Sequence, residues 1–207
     1  MKSSVTLWII AFILTLAIAV YQRVTGPTHP VEESATVEET EVNAKFDRSH
    51  SGDGDQPVIV KLSSNILYGE LYWKRFKTND DWNIVKMNKE ENTLTTFLPH
   101  QPPAGKLEYF VKIYGENSEV FLPAKSIVTR FKGSVPDFIL IPHIIFMFSA
   151  MLLALRAAME IFKQQPRFKV LTIITLVVLG IGGLILGPIV QKYAFGELWT
   201  GFPNGTD

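Results

Sequence analysis

Apolar and polar positions separate into long blocks along this chain. Three almost uncharged runs, Val5–Val20, Phe138–Leu155 and Val170–Val190, flank one long polar stretch rich in aromatic residues. A run of roughly 18 or more apolar residues makes a helix long enough to cross ~30 Å of hydrocarbon. The pattern predicts a membrane protein with three transmembrane α-helices, over residues 1–22, 136–162 and 170–190. A water-facing domain lies between the first two, and residues 163–169 form a short loop between the last two.

Inside the polar stretch the period changes to two. Leu107, Tyr109, Val111 and Ile113 alternate strictly with polar or exposed positions, the signature of a half-buried strand. Leu67, Gly69, Leu71 and Trp73 alternate against Tyr68, Glu70, Tyr72 and Lys74 in the same way. Further strand signals fall at Val58–Leu62, Trp82–Met87, Thr93–Leu98, Glu119–Leu122 and Ile127–Phe131. Short strands at this spacing, separated by turn residues such as Asn79-Asp80-Asp81, predict one all-β antiparallel sandwich over residues 36–132. Trp82, Met87, Tyr109 and one of Ile84 or Val85 are expected in its core. Residues 23–35 read as a linker broken by Gly26-Pro27 and Pro30. The acidic segment Val31–Val42 is open to two readings, a solvated linker or an edge strand.

Two resemblances bear on these elements. Gly69-Glu70-Leu71-Tyr72-Trp73-Lys74-Arg75, Trp82–Met87 and Leu98-Pro99-His100-Gln101-Pro102-Pro103-Ala104-Gly105 resemble immunoglobulin-like or fibronectin-type-III-like modules of bacterial envelope proteins. That resemblance implies a module that binds or spaces and carries no chemistry of its own. The whole chain resembles uncharacterised bacterial inner-membrane proteins through Tyr21–Pro30, Gln101–Gly105, Ile141-Pro142-His143 and Gly187-Pro188-Ile189-Val190. It brings no activity with it. The tail over residues 191–207, with Tyr193, Phe195, Trp199 and Phe202, reads as interfacial and extracytoplasmic. It ends without a stop pattern, and the resemblance implies continuation into another span.

Charge adds orientation. Lysine plus arginine number 20 and aspartate plus glutamate 20, so no nucleic-acid partner is expected. Lys2, Arg156, Lys163, Arg167 and Lys169 lie on one side of the spans, against Arg23, Arg130, Lys132 and Lys192 on the other. By the positive-inside rule this puts the amino terminus in the cytosol and the sandwich outside a bacterial inner membrane. The first span exceeds a usual signal-peptide core. Ala17-Ile18-Ala19 offers a cleavage pattern, and the run reads as an anchor in preference to a cleaved signal. Cysteine is absent, which removes disulfides, thiolate nucleophiles and Cys-ligated metals.

Candidate chemistry is sparse. No nucleophile–base pair, zinc motif or phosphate loop occurs; no catalytic residue, metal or cofactor is expected, and the chain reads as a non-enzyme. His143 is the sharpest position, an ionisable group inside a span. It reads as a haem ligand, proton relay or quinone contact, or as a neutral imidazole bonded to a backbone carbonyl. Arg156 and Glu160 lie four apart and read as a transport-linked pair or as the cytoplasmic end of the helix, with Arg156 snorkelling. Ala150, Ala154, Gly180, Gly183 and Gly187 are small residues at helical spacing and predict close helix packing, within the chain or between copies. Asp53 and Asp55 read as a plain turn. Tyr68, Tyr72 and Phe76 are the candidate docking aromatics. Asn204-Gly205-Thr206 is a formal sequon. The expected function is a non-enzymatic envelope interaction or scaffold role. The alternative is an accessory subunit of a respiratory or transport complex that uses His143. The expected partners are the lipid bilayer and a membrane protein or a second copy.

Overall fold

The computed structural model of the chain describes residues 4–64 and 67–200. They fall into two units, one over residues 27–134 and one formed by residues 4–26 and 135–200. Lys2, Ile66, Phe202 and the 204–206 sequon lie outside the described residues.

The first unit holds ten strands: β1 Val31–Val37, β2 Thr40–Phe46, β3 Ser49–Ser51, β4 Gln56–Leu62, β5 Tyr68–Arg75, β6 Asn83–Lys86, β7 Asn88–Glu90, β8 Thr93–Leu98, β9 Lys106–Tyr114 and β10 Glu119–Lys132. They form two five-stranded sheets, in the orders β1-β2-β4-β8-β7 and β3-β10-β9-β5-β6. β2, β4 and β9 bury every second residue, and Val42, Phe46, Val58, Val60, Leu94 and Leu98 of one sheet share a core with Leu71, Leu107, Tyr109, Val111, Ile113 and Phe131 of the other. The unit is a β-sandwich.

Its buried polar groups are satisfied across the core. Gln56 accepts from the Thr129 hydroxyl at 2.7 Å and donates to the Asp47 carbonyl at 3.2 Å. The Tyr109 hydroxyl donates to that same carbonyl at 2.8 Å, which offsets the cost of burying a phenol. Burial pushes this phenol above its ordinary value, with the nearby Asp47 charge adding to the effect. At the β1–β2 turn Glu38 accepts from the Asn117 backbone N–H at 2.6 Å, clamping the β9–β10 turn. Gly69 lets the sheets close: a Cβ there would lie 2.9 Å from Ile113 and 3.0 Å from Leu94.

Several expectations are corrected here. The first sheet starts at Val31, so the acidic segment is the β1–β2 hairpin and residues 31–35 belong to the sandwich, which extends beyond the expected 36–132. The sandwich is not wholly antiparallel, because β3 pairs parallel to β10. Glu119–Leu122 and Ile127–Phe131 are one strand interrupted by a register shift. Met87 is in the core, but Ile84 and Val85 are exposed. β6 is a sheet edge, paired only to β5, so neither of its faces is fully covered. Trp82 precedes that edge and lies on the outer side, against Phe110.

The second unit has three helical stretches long and apolar enough to cross a membrane. The first, α1, is Ser4–Thr25. The next is α2, Asp137–Ala158, continued by a 3-10 turn Met159–Phe162. The last is α3 Phe168–Leu179, a π-helical turn Gly180–Leu186, and α4 Gly187–Phe195. The stretches run beyond the expected 1–22 and 170–190. Leu7, Ala11 and Thr15 are the buried stripe of α1, which packs on α2, as does the last stretch. The Thr15 and Thr175 hydroxyls donate to the carbonyls four residues back, each at 2.8 Å. That pairing hides their polarity from an apolar surrounding.

Candidate functional site

The outer face of the second sheet carries the densest cluster of functional side chains. β5 and β9 pair antiparallel with Tyr68 opposite Tyr114, Glu70 opposite Lys112, Tyr72 opposite Phe110 and Lys74 opposite Glu108. Aromatic pairs thus alternate with opposite-charge pairs, both of which favour this pairing. Tyr68 and Tyr114 stack with centroids 4.9 Å apart, and so do Tyr72 and Phe110. Trp82 meets Phe110 edge-on at 5.0 Å, and Phe121 of β10 lies 5.8 Å beyond it. The result is an aromatic row in two parts, Tyr72, Trp82, Phe110 and Phe121 in one and Tyr68 with Tyr114 in the other, joined by the Tyr72 and Tyr114 hydroxyls at 3.2 Å.

Glu70, Glu108, Glu119, Lys74 and Lys112 beside the row are already engaged. Glu70 accepts from the Tyr114 hydroxyl at 2.9 Å and the Tyr72 hydroxyl at 3.1 Å. Lys112 pairs with Glu119 at 2.7 Å, and that bond holds its ammonium above its ordinary value. Lys74 lies 3.9 Å from Glu108, which also accepts from the Ser126 hydroxyl. The cations also cap the rings, Lys74 at 4.7 Å over Trp82 and Lys112 at 4.8 Å over Tyr114. Desolvation by burial, then the hydrogen bonds with Tyr72 and Glu70, push the Tyr114 phenol upward. Trp82, Phe110, Phe121, Pro123, Ala124 and Ser126 line a cleft of about 150 Å³.

Of the three expected docking aromatics, Tyr68 is 56% exposed and Tyr72 is half-buried in the row. Phe76 lies past the end of β5, with Lys77 over its ring. Sequence reasoning missed Phe110, Tyr114 and Phe121, and assigned Trp82 to the core. The signal was present: Phe110 and Tyr114 occupy the outward parity of the alternation that put Tyr109 and Val111 inside.

His143 is half-buried on α2, and its Nδ1 lies 2.9 Å from the Gly182 carbonyl. A carbonyl only accepts, so Nδ1 carries the proton, and in the neutral ring Nε2 then bears the lone pair. Gly182 sits in the π-turn, where its carbonyl also takes the Gly187 N–H. Close helix packing centres on this same residue: a Cβ at Gly182 would lie 2.8 Å from the Phe146 Cβ. Within the chain, then, the expected contact of the GxxxG glycines with the second span falls on Gly182 instead. Gly180 meets open space, Gly183 and Gly187 make only ordinary contacts, and Ala150 is buried whereas Ala154 is exposed.

Arg156 and Glu160 do not snorkel. Their side chains are 2% and 1% exposed and lie 2.6 Å apart. Glu160 also pairs with Lys163 at 3.2 Å and accepts from the Arg167 backbone N–H. The Arg156 guanidinium lies 5.4 Å from the Trp8 ring and donates to Ser4. The group ties the start of α1 and the 163–167 loop to the end of α2. Asp55 accepts from the His100 backbone N–H at 2.7 Å, a turn contact. Among the described residues no group of three or more His, Asp or Glu side chains is placed to hold a metal.

No protein-family model matches the chain, and no curated protein sequence matches it. Three similar solved structures each cover about half of this chain. One is a Br derivative of BhCBM56, at 9% identity and TM-score 0.35, covering 47% of this chain and 98% of that one. Another is a family 56 carbohydrate-binding module described as a β-1,3-glucan binding domain, at 10% identity and TM-score 0.28, covering 49% and 98%. A third is the FN1–FN3 domains of chicken CNTN1, at 12% identity and TM-score 0.27, covering 45% and 39%.

Proposed function

We propose that this is an integral protein of a bacterial cytoplasmic membrane that presents an immunoglobulin- or fibronectin-III-like sandwich outside, as a non-enzymatic contact module. The observation that carries the reading is the aromatic row. Tyr, Trp and Phe side chains standing in water on a paired, charge-balanced sheet face are what recognition surfaces are made of. Three helices of spanning length supply the attachment, and the Lys and Arg bias supplies the orientation. Retention of the first span is supported by Leu7, Ala11 and Thr15, buried against α2, and by Trp8 beneath Arg156. Ala154 and Gly180, small residues with open surroundings, suit contact with a further helix or a second copy in the bilayer.

The test joins topology to surface. Alkaline phosphatase fused at Asn117 is expected to be active, and a silent fusion reverses the orientation. A photo-crosslinker at Tyr68 is expected to trap an envelope component, with the adduct lost in Phe121→Ser. An adduct indifferent to Phe121 removes the row from the function.

One observation favours a second reading, an accessory subunit of a respiratory or transport complex. The Gly182 carbonyl fixes the His143 tautomer that leaves Nε2 free to ligate, and metal-bound histidines are oriented by such bonds. A Soret band lost in His143→Ala supports it; a colourless protein from its native membrane removes the haem form of this reading.

A further inference from the structure

The aromatic row also points to a class of ligand, on the reading that this face is the contact surface. We infer that the cleft between Trp82, Phe110 and Phe121 seats one ring of a neutral saccharide chain lying across the second sheet. Size is the first argument. The cleft is about 150 Å³, and a space of that size holds roughly one six-membered ring. Charge is the second. Around the row Glu70, Glu108 and Glu119 are matched by Lys74, Lys86 and Lys112, and the basic pair Lys106 and Arg130 lies one cross-strand position beyond Glu108, so the row itself, as distinct from the whole face, offers no net field to a polyanion such as a nucleic acid or an acidic peptide.

A cationic ligand meets the opposite obstacle. Lys74 and Lys112 already occupy the ring faces, Lys112 at 5.1 Å over Phe121 as well as over Tyr114. A purely apolar ligand, such as a proline or phenyl ring, would strip water from Lys74, Glu108 and Ser126 at the rim and return no hydrogen bond. A sugar ring can set its C–H groups against Trp82, Phe110 and Phe121 where they line the cleft, without displacing the two lysines. Its hydroxyls can accept from Lys74 and donate to Glu108, bridging the 3.9 Å gap between Lys74 and Oε2 while Oε1 keeps the Ser126 hydroxyl. The cross-strand alternation of rings and charged pairs continues to Tyr68 and Tyr114, so neighbouring sugars meet the same two chemistries in turn.

The experiment uses the full chain in lipid nanodiscs, because sugar-headed detergents would compete. Isothermal titration is run with β-1,3- and β-1,4-linked gluco-oligosaccharides, chito-oligosaccharides and anionic oligogalacturonates. Binding of at least one neutral series is expected, and none of the anionic one. Trp82→Ala and Phe121→Ala should each weaken it about tenfold, the cost of one lost ring contact. Trp82→Tyr should recover most of the loss, and Phe97→Ala, an exposed ring on the other sheet, should change nothing. Unchanged circular dichroism and thermal unfolding show that the variants fold. Silence of every neutral glycan, preference for the anionic series, or equal loss in Phe97→Ala overturns the inference. If the glycans are silent while the Tyr68 crosslink to a protein still depends on Phe121, the saccharide fails and the contact surface stands. If both are silent, both fail.

Discussion

Leu94 and Leu184 are the same side chain under opposite rules. Leu94 is fully buried in the sandwich, whereas Leu184 is 75% exposed on its helix. The sandwich gathers its apolar residues inward through a period of two. The helical unit turns most of them outward, and beside Leu7 and Thr15 its few buried positions are small, as at Ala11, Ala150 and Gly182, or charged, as at Arg156 and Glu160. Water drives the first arrangement, since removing apolar area from water stabilises a core. It cannot drive the second if hydrocarbon surrounds the helices, and then close approach and buried polar contacts hold them. One chain therefore contains two solvents' worth of design, and a substitution should have different consequences in each.

That contrast is broken or sharpened most strongly by a matched pair. Leu94→Ala should destabilise the sandwich by about 2–5 kcal/mol through its cavity, read by denaturant unfolding. Leu184→Ala should leave the heat stability of the nanodisc-held protein unchanged. Similar losses at both would show that Leu184 is covered by protein. Next comes the reverse error, overpacking. Gly182→Ile should cost about 1–3 kcal/mol at the α2 contact, while Gly180→Ile should be silent in a single copy. A loss at Gly180 would place another helix there. A smaller effect tests the polar bridge: Tyr109→Phe should cost about 0.5–1.5 kcal/mol in the same denaturant assay, and no change would mean that Gln56 alone satisfies Asp47.

The smallest effect is a pH dependence confined to the sandwich. The Asn117 N–H, with lesser help from Glu116 and Ser118, holds the Glu38 carboxyl below its ordinary value despite the opposing effect of desolvation. A depressed folded value stabilises above the unfolded one, about 4.3, and the gain is lost as pH falls through the folded value. Glu38→Gln should flatten that acid limb of thermal unfolding. An unchanged limb would assign it to other carboxylates.

What could be read in advance followed the periodicities. The alternation from Leu107 to Ile113 placed β9 and its inward residues correctly, and the three apolar runs located the three long apolar helical stretches. Failures came where pattern underdetermines position. Ile84 and Val85 are β-branched on an edge strand, so propensity was right and burial wrong. Val31–Val37 is a strand with an acidic sequence because an edge can keep Glu32 and Ser34 in water. GxxxG spacing singled out Gly183 and Gly187, whereas the close approach to α2 falls on Gly182, between Phe146 and Met147. Arg156 and Glu160 were read from their own helix, whereas their burial depends on Ser4, Trp8 and Arg167 from elsewhere in the unit.

The hydrogen bond from Gly187 back to Gly182 spans five residues where an α-helix spans four. Each residue advances a helix by about 100°, so everything after the turn, Gln191 and Tyr193 included, is swung relative to α3. Deleting one residue between 180 and 186 would act as a twist of the dial. It would present a different strip of α4 to α2 without changing a single side chain beyond the cut, so the bearing of the final helix is written as a head-count.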